Sequence, residues 1–308
     1  MKYEFTVTET QSGQRLDKLL GELLADQTSR SQLQKNGTFW LEVDSEWQKQ
    51  LFKTKVQAGQ NWRIEWEETA LNLDNLQPWE TNMEILQETD DFVCINKPIG
   101  VSVHPSESEQ SDQTVVNFLV AKYGNSFSKN FEEASFRPGI VHRLDKTTSG
   151  VLLVAKNVSA LRFFQSHWGK DTKKTYYALV KGIPPQNGNI KSGILRDPKD
   201  RQKMMVTDSP KARPAHTTFE RLAESVDGKY SLLKVQIFTG RTHQIRVHLA
   251  AIGFAIVGDE KYGGEPAERV FLHAGELQFL DPKNKQKIMV QTEFPEVFLK
   301  KFKLNPLK

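Results

Sequence analysis

From Met83 onward the chain is written in short apolar or alternating runs separated by turn residues, with few segments long enough for a helix. Such a pattern constrains the fold to a sheet whose neighbouring strands are mostly joined locally. Strands are expected at 84–86, 91–96, 140–144, 151–155, 176–180, 217–222 and 230–238. Asp227-Gly228, between the last two, is a hairpin signal. Lys97-Pro98-Ile99-Gly100 breaks the strand before it. Helices are expected at 114–123, 159–168 and 242–252, the last stopped by Gly253. The resulting fold class is α+β, a mixed, mainly antiparallel sheet with flanking helices.

The N-terminal part has a different texture. Leu16, Leu19, Leu20, Leu23 and Leu24 recur on one helical face, and Ser29-Arg30-Ser31-Gln32-Leu33 reads as the capped start of a second helix. Strands follow at 39–43 and 62–66. The stretch 67–80 lacks periodicity, so the chain is expected to divide into a small α+β domain at 1–70, a linker at 71–82 and a catalytic domain at 83–308.

Bulk properties mainly exclude. The lone cysteine, Cys94, lies in the apolar run Phe92-Val93-Cys94-Ile95, which rules out an internal disulfide framework and a cysteine zinc cluster and makes it a buried strand residue. No apolar run is long enough to span a bilayer, and the start of the chain lacks a signal-peptide core, so a cytoplasmic protein with no membrane partner is expected. A net charge of +4 over 308 residues does not by itself demand a nucleic-acid partner.

Chemistry concentrates at Arg137-Pro-Gly-Ile-Val-His142-Arg143-Leu144-Asp145-Lys146-Thr147-Thr148-Ser149-Gly150, where one acid stands between cations beside an apolar strand. Neighbouring cations favour the charged form of a carboxylate, which nucleophilic or base catalysis needs. Polarity alone leaves two roles open for Asp145, a cap on a turn and a reactive group. Tyr176, in an alternating strand, is likewise open between core and pocket, core being the commoner role for such a residue. His243 and His248 are five apart, off the one-turn spacing that puts two metal ligands on a helix face; packing, hydrogen bonding or phosphate contact suits them and His142 better. Arg241, at a helix start, fits either a backbone cap or a substrate phosphate.

This block resembles the signature of the RluA family of RNA pseudouridine synthases, whose central string is His-Arg-Leu-Asp followed by a Thr-Ser-Gly turn. Further segments resemble the same family in the same order: 86–105 (LQETDDFVCINKPIGVSVHP), 174–182 (KTYYALVKG), Arg196-Asp197-Pro198 through Lys203-Met204, 240–248 (GRTHQIRVH) and 258–263 (GDEKYG). Together they span 84 to about 282. The resemblance implies that Asp145 attacks the target uridine, Tyr176 packs on the base, Arg246 pairs with the aspartate and Leu277 forms an apolar wall under the uracil. It also points to Arg143 as a side chain that reaches into the displaced RNA; His142 and Arg241, by residue type and position, are kept as secondary candidates for substrate contact. Uridine and pseudouridine differ only in which ring atom bonds the ribose, so no cofactor and no metal are expected. The carboxylate must break the base–sugar bond, or add to base or sugar, while a pocket holds the freed ring.

An RNA partner is also consistent with local charge. Between 141 and 181 the cations Arg143, Lys146, Lys156, Arg162, Lys170, Lys173, Lys174 and Lys181 face only Asp145 and Asp171. The N-terminal module resembles the small RNA-binding domain named after ribosomal protein S-four, through Arg15-Leu16-Asp17-Lys18-Leu19-Leu20 and 29–33. That implies RNA contacts at Arg15, Lys18 and Arg30, although nine cations and nine acids through Trp66 leave the module neutral. The expected function is isomerisation of uridine in structured RNA, large-subunit ribosomal RNA first and transfer RNA second, by a monomer. The competing classes are a non-catalytic RNA-binding or ribosome-assembly protein, and a glycoside hydrolase, which would want a second partnered carboxylate.

Overall fold

The computed structural model describes residues 1–24, 33, 34, 36–66, 76–105, 112–124, 127, 131, 138–200, 202–298 and 304–306. The chain divides into two compact units, residues 1–75 with 131–136 and residues 76–130 with 137–308.

In the first unit, strands β1 (Lys2–Thr6), β2 (Gly37–Val43), β3 (Glu46–Gln50) and β4 (Asn61–Trp66) form an antiparallel sheet in the order β1-β4-β2-β3. Helix α1 (Leu16–Leu23) belongs to the same core, where Leu16, Leu19, Leu20 and Leu24 join Phe39, Trp62 and Ile64. The leucine periodicity seen in the sequence is therefore the buried stripe of α1. Asp44 and Ser45 both have positive φ, 50° and 68°, which closes β2 and β3 as a two-residue hairpin. The helix expected from Ser29 lies outside the described residues.

The second unit carries an eleven-stranded sheet. Its strands are β5 (Ile85–Glu88), β6 (Phe92–Lys97), β7 (Ser149–Ala155), β8 (Lys173–Lys181), β9 (Asn187–Arg196), β10 (Met204–Val206), β11 (Arg213–Ser225), β12 (Tyr230–Ile237), β13 (Leu272–Leu280), β14 (Lys287–Gln291) and β15 (Leu304–Pro306). The order is β10-β9-β11-β12-β8-β13-β7-β6-β5, with β14 paired to β13 and β15 to β11. Among the described strand pairs, only β7–β13 is parallel. The mixed, mainly antiparallel sheet expected from the hairpin signals is what forms.

Helices α2 (Val115–Tyr123) and α3 (Val158–His167) are capped by Thr114 and Asn157, the latter accepting from the Ala160 N–H at 2.8 Å. Phe164 of α3 meets Phe279 and Phe92 edge-on at 5.7 and 6.2 Å, fixing α3 to one face of the sheet. Cys94 is fully buried in β6. No described helix is long and apolar enough to cross a membrane.

One expected element does not form. Residues 140–144 do not form a strand; Ile140 makes a single bridge to Val154, and His142 Nε2 then accepts the Leu153 N–H at 3.0 Å. A side chain has taken the place of a ladder partner, and the backbone is free to carry the next residues away from the sheet. Residues 76–82 group with the second unit, where Trp79 N–H donates to the Asn117 carbonyl and Asn117 Nδ2 to that of Gln77.

Candidate active site

The irregular segment 141–148 runs from that single bridge to the start of β7 and carries Asp145. Its turn is closed by the Thr148 N–H donating to the Asp145 carbonyl at 3.0 Å. The Lys97–Gly100 turn braces it from outside: Gly100 N–H donates to the Lys146 carbonyl at 2.8 Å. Lys97 itself is fully buried, its ammonium donating to the carbonyls of Pro98 and Val101 at 2.8 Å each. Burial pushes its pKa down to about 7, against the pull of nearby Asp145. Just beyond, Gly150 has φ +116°, and a Cβ there would lie 2.1 Å from the Ala274 oxygen. Only glycine lets β7 pack so closely on β13 at the point where the loop rejoins the sheet.

Tyr176 stands in β8 opposite Ala274, beside a register shift in β13 between Ala274 and Glu276. Such bulges re-aim side chains next to active sites. Its ring is buried, and burial together with the Asp145 charge holds its hydroxyl well above the ordinary phenol range. The phenol is therefore a neutral surface, not a phenolate.

Arg246 comes from helix α4 (Gln244–Ala251), shorter by two residues at its start than the expected 242–252. His243 occupies the N-cap in the left-handed region, φ 55° and ψ 20°, so the helix cannot extend back through it. The Arg246 guanidinium grips Asp259 with two hydrogen bonds, Nε to Oδ2 at 2.6 Å and Nη2 to Oδ1 at 2.7 Å. Its remaining Nη1 faces Asp145 Oδ2 at 3.4 Å. Burial alone would lower the Arg246 pKa, but its bonds to Asp259 and the charge of Asp145 outweigh that and raise it. His243 Nε2 is 3.8 Å from the same Asp145 oxygen.

Asp145, Tyr176, His243 and Arg246 line a cleft of about 330 Å³ whose wall also includes Leu272, Lys174, Trp168 and Ile237. That volume lies at the small end of the range for ligand sites, about 300–1,000 Å³. Among the described residues, no cluster of three or more His, Cys, Asp or Glu has metal-holding geometry.

The structure brings Asp145, Tyr176, Arg246, Arg143, His142 and Arg241 together on this cleft. Arg143 is exposed, whereas Arg241 donates Nε–H to the Pro214 carbonyl at 3.2 Å. His142 is stacked on Trp168 at 4.6 Å, and burial, with the Lys174 charge, lowers its pKa to about 3; it is a packed neutral ring. Leu277, past the bulge, is buried opposite Lys174 and so shares the sheet face of Lys174 and Tyr176. Leu272, and not Leu277, is among the residues that line the cleft.

Arg15 is committed to Asp17, with Nε and Nη2 donating at 3.0 and 2.9 Å, while Lys18 is exposed. Arg30, Arg137 and Arg201 lie outside the described residues. Sequence reasoning gave no role to Asp259 or Tyr262, and to His243 only packing, hydrogen bonding or phosphate contact, although all three stand in segments it singled out. The available signal was an acid one residue after a glycine in Gly258-Asp259, too common to weigh without its arginine in view.

Comparison with known proteins agrees with this geometry. The family model described as RNA pseudouridylate synthase matches residues 91–251. A Borreliella burgdorferi protein named ribosomal large subunit pseudouridine synthase D is 41% identical over 242 residues, 77% of this chain and 72% of that one. The Vibrio cholerae protein of the same name is 34% identical over 314 residues, covering 94% and 91%. The solved structure of human RNA pseudouridylate synthase domain containing 1 superposes with a TM-score of 0.57 at 28% identity, covering 75% of this chain and 91% of that one. With a sheet, a cleft and a matched segment that all coincide, the chain belongs to the RNA pseudouridylate synthase family and is an isomerase of its RluA type.

Proposed function

We infer that the protein converts uridine to pseudouridine in large-subunit ribosomal RNA, with Asp145 as nucleophile. The observation that carries the residue assignment is the asymmetry around Arg246. Its two short bonds go to Asp259, and Asp145 is left facing the cleft with one long contact. An acid held that way is oriented but not consumed.

The uridine must leave its stack to reach the cleft, at a cost of a few kcal/mol. Tyr176 then supplies a flat apolar surface for the ring, with Leu272 beside it. Arg143, exposed at the rim, fills the space left in the RNA. The Asp145 carboxylate attacks the anomeric ribose carbon as the bond from N1 to that carbon breaks, the freed ring turns, and C5 then bonds the same carbon and displaces the carboxylate. C5 loses its proton to solvent and N1 takes one up, so atoms and charge balance with no oxidant, metal or energy source.

Ribosomal RNA is favoured over transfer RNA by the names of the relatives at 41% and 34% identity. The N-terminal unit, read as an S-four-like module acting in the cytoplasm as part of a monomer, would add RNA affinity through Lys18 and Arg30. A Lys18→Glu exchange should weaken RNA binding by about 1 kcal/mol or less in a filter-binding titration at low salt.

The test of the main reading is tritium release from RNA labelled at C5 of uracil, prepared from cells lacking this protein. The native protein releases tritium and Asp145→Asn does not. Equal release from both rules out the nucleophile. Mapping the modified positions by reverse-transcription stops in the two cell types then decides between ribosomal and transfer RNA.

A further inference from the structure

Asp145 has a second neighbour that the family comparison does not explain. His243 sits at a helix N-terminus yet makes no side-chain cap bond there. The other described non-glycine residues with positive φ, Asp44, Ser45 and Lys285, lie in the connections between β2 and β3 and between β13 and β14. His243 alone among them adopts this conformation outside a hairpin, and strained backbone of that kind clusters at functional sites. The consequence is visible in its side chain, which turns into the cleft and places Nε2 3.8 Å from Asp145 Oδ2.

The imidazole is locked from behind. Its Nδ1 lies 2.7 Å from the Tyr262 hydroxyl, and that oxygen already accepts the Met204 N–H at 2.8 Å. A phenol that accepts from an amide still has its own proton to give. Donation from Tyr262 to Nδ1 puts the remaining imidazole N–H on Nε2, facing the carboxylate; the other tautomer would set two lone pairs against each other. Tyr262 in turn packs its ring under the Arg246 guanidinium at 5.1 Å. One tyrosine thus holds both groups that face Asp145.

We propose that His243 is a positioning residue for the nucleophile: as a neutral imidazole fixed by Tyr262, it presents an N–H to Asp145 and shares with Arg246 the aiming of the attacking oxygen. This rests on Asp145 being the nucleophile. The charged and titratable groups that face His243 are Asp145 from the loop, Arg246 from its own helix, and Asp259, Lys261 and Tyr262 from the segment after it. Burial is the largest influence and lowers its proton affinity; Asp145 and Asp259 oppose that, and Arg246 and Lys261 reinforce it. At neutral pH the ring is therefore uncharged. Protonation in acid converts it to a cation beside Asp145 and draws the carboxylate into a tight ion pair, which slows attack.

The experiment measures kcat and apparent KM by tritium release, from pH 5 to 8.5, on C5-labelled total RNA from cells lacking the protein. His243→Ala should lower kcat at pH 8 by about 10²-fold, the scale for losing one oriented donor, with apparent KM unchanged within about twofold. His243→Gln keeps an N–H near the Nε2 position but cannot titrate. It should retain kcat within about tenfold and lack the acid limb expected of the native enzyme below about pH 6.5. Tyr262→Phe should fall between the two. A kcat for His243→Ala within tenfold of native, a loss expressed in KM alone, or an acid limb in His243→Gln that coincides with the native one overturns the proposal. If His243→Ala does not fold, the His243→Gln profile decides. Residual turnover in Asp145→Asn, run alongside, would instead sink the nucleophile assignment, so the two failures are distinguishable.

Discussion

Each unit of this protein builds an arginine–aspartate pair, and the two pairs are made differently. In the N-terminal unit Arg15 reaches two residues along the chain and holds Asp17 with both oxygens engaged, and Asp17 is completely buried. In the catalytic unit Arg246 does the same to Asp259, which is 2% exposed, but keeps one nitrogen for Asp145, whose side chain is 20% exposed. Tight bidentate pairing satisfies an acid and removes it from chemistry. The acid left at 3.4 Å from Arg246 and 3.8 Å from His243 is the one that can still act on a ligand. The lesson is that an aspartate's role is set by how much of the neighbouring cation is left over for it.

The comparison breaks first at Asp145. Asp145→Asn should cost more than about 10⁴-fold in single-turnover tritium release, as removal of a nucleophile does, while leaving the thermal midpoint almost unmoved. A variant that loses stability instead would make Asp145 a structural acid like Asp17. Asp259→Asn should do the reverse. It leaves the buried Arg246 without its charge partner, so stability should fall by about 3–5 kcal/mol in denaturant titration, with turnover reduced as a secondary effect because Arg246 is no longer aimed.

A smaller contrast concerns acid. The catalytic unit buries histidines, and the N-terminal unit contains none through residue 75. Burial lowers His142 to about 3 and His273 to about 4, both below the unfolded value of 6.5. Between about pH 6.5 and those values the unfolded chain binds more protons than the folded one. Stability of the catalytic unit should therefore fall with pH across that window, by up to about 1.4 kcal/mol per pH unit for each histidine, and level off below it. Hydrogen exchange resolved by unit would show the loss at β7 and β13 and not at β1–β4; equal loss in both would remove the histidines as the cause.

The smallest effect is expected at Asp17. Because Arg15 is substantially solvated, Asp17→Asn should cost the N-terminal unit about 1–2 kcal/mol and leave turnover on short RNA fragments unchanged. Turnover should also be unaffected by EDTA, since no step described for Asp145, Tyr176 or Arg246 uses a metal; a loss that zinc restores would contradict that chemistry.

How much of this was legible in the chain depends on the range of the forces involved. The α1 leucine stripe, the Asp227-Gly228 hairpin and the strand alternation of β8 and β12 are local patterns, read correctly because side-chain period and turn chemistry act over a few residues. The expected strand at 140–144 failed because a side chain, His142, took the Leu153 amide that a backbone partner would have taken. The bulge in β13 between Ala274 and Glu276, which sets the face that Leu277 takes, is announced by no periodicity. That Asp145, Tyr176 and Arg246 gather on one cleft was legible only through resemblance to a family, since residue type alone left each of them an ordinary structural role.

By itself, then, the sequence determined the local elements, the class of sheet and the segments in which the reactive groups stand. Tertiary structure decided which acid is free. Asp145 and Asp259 are 114 positions apart and meet the same guanidinium only after the sheet, the 141–148 loop and the N-terminus of α4 are in place. Pairing between charges depends on distances of a few ångströms that the chain sets only by folding, so the division of Arg246 between its two aspartates could not be read from order along the chain.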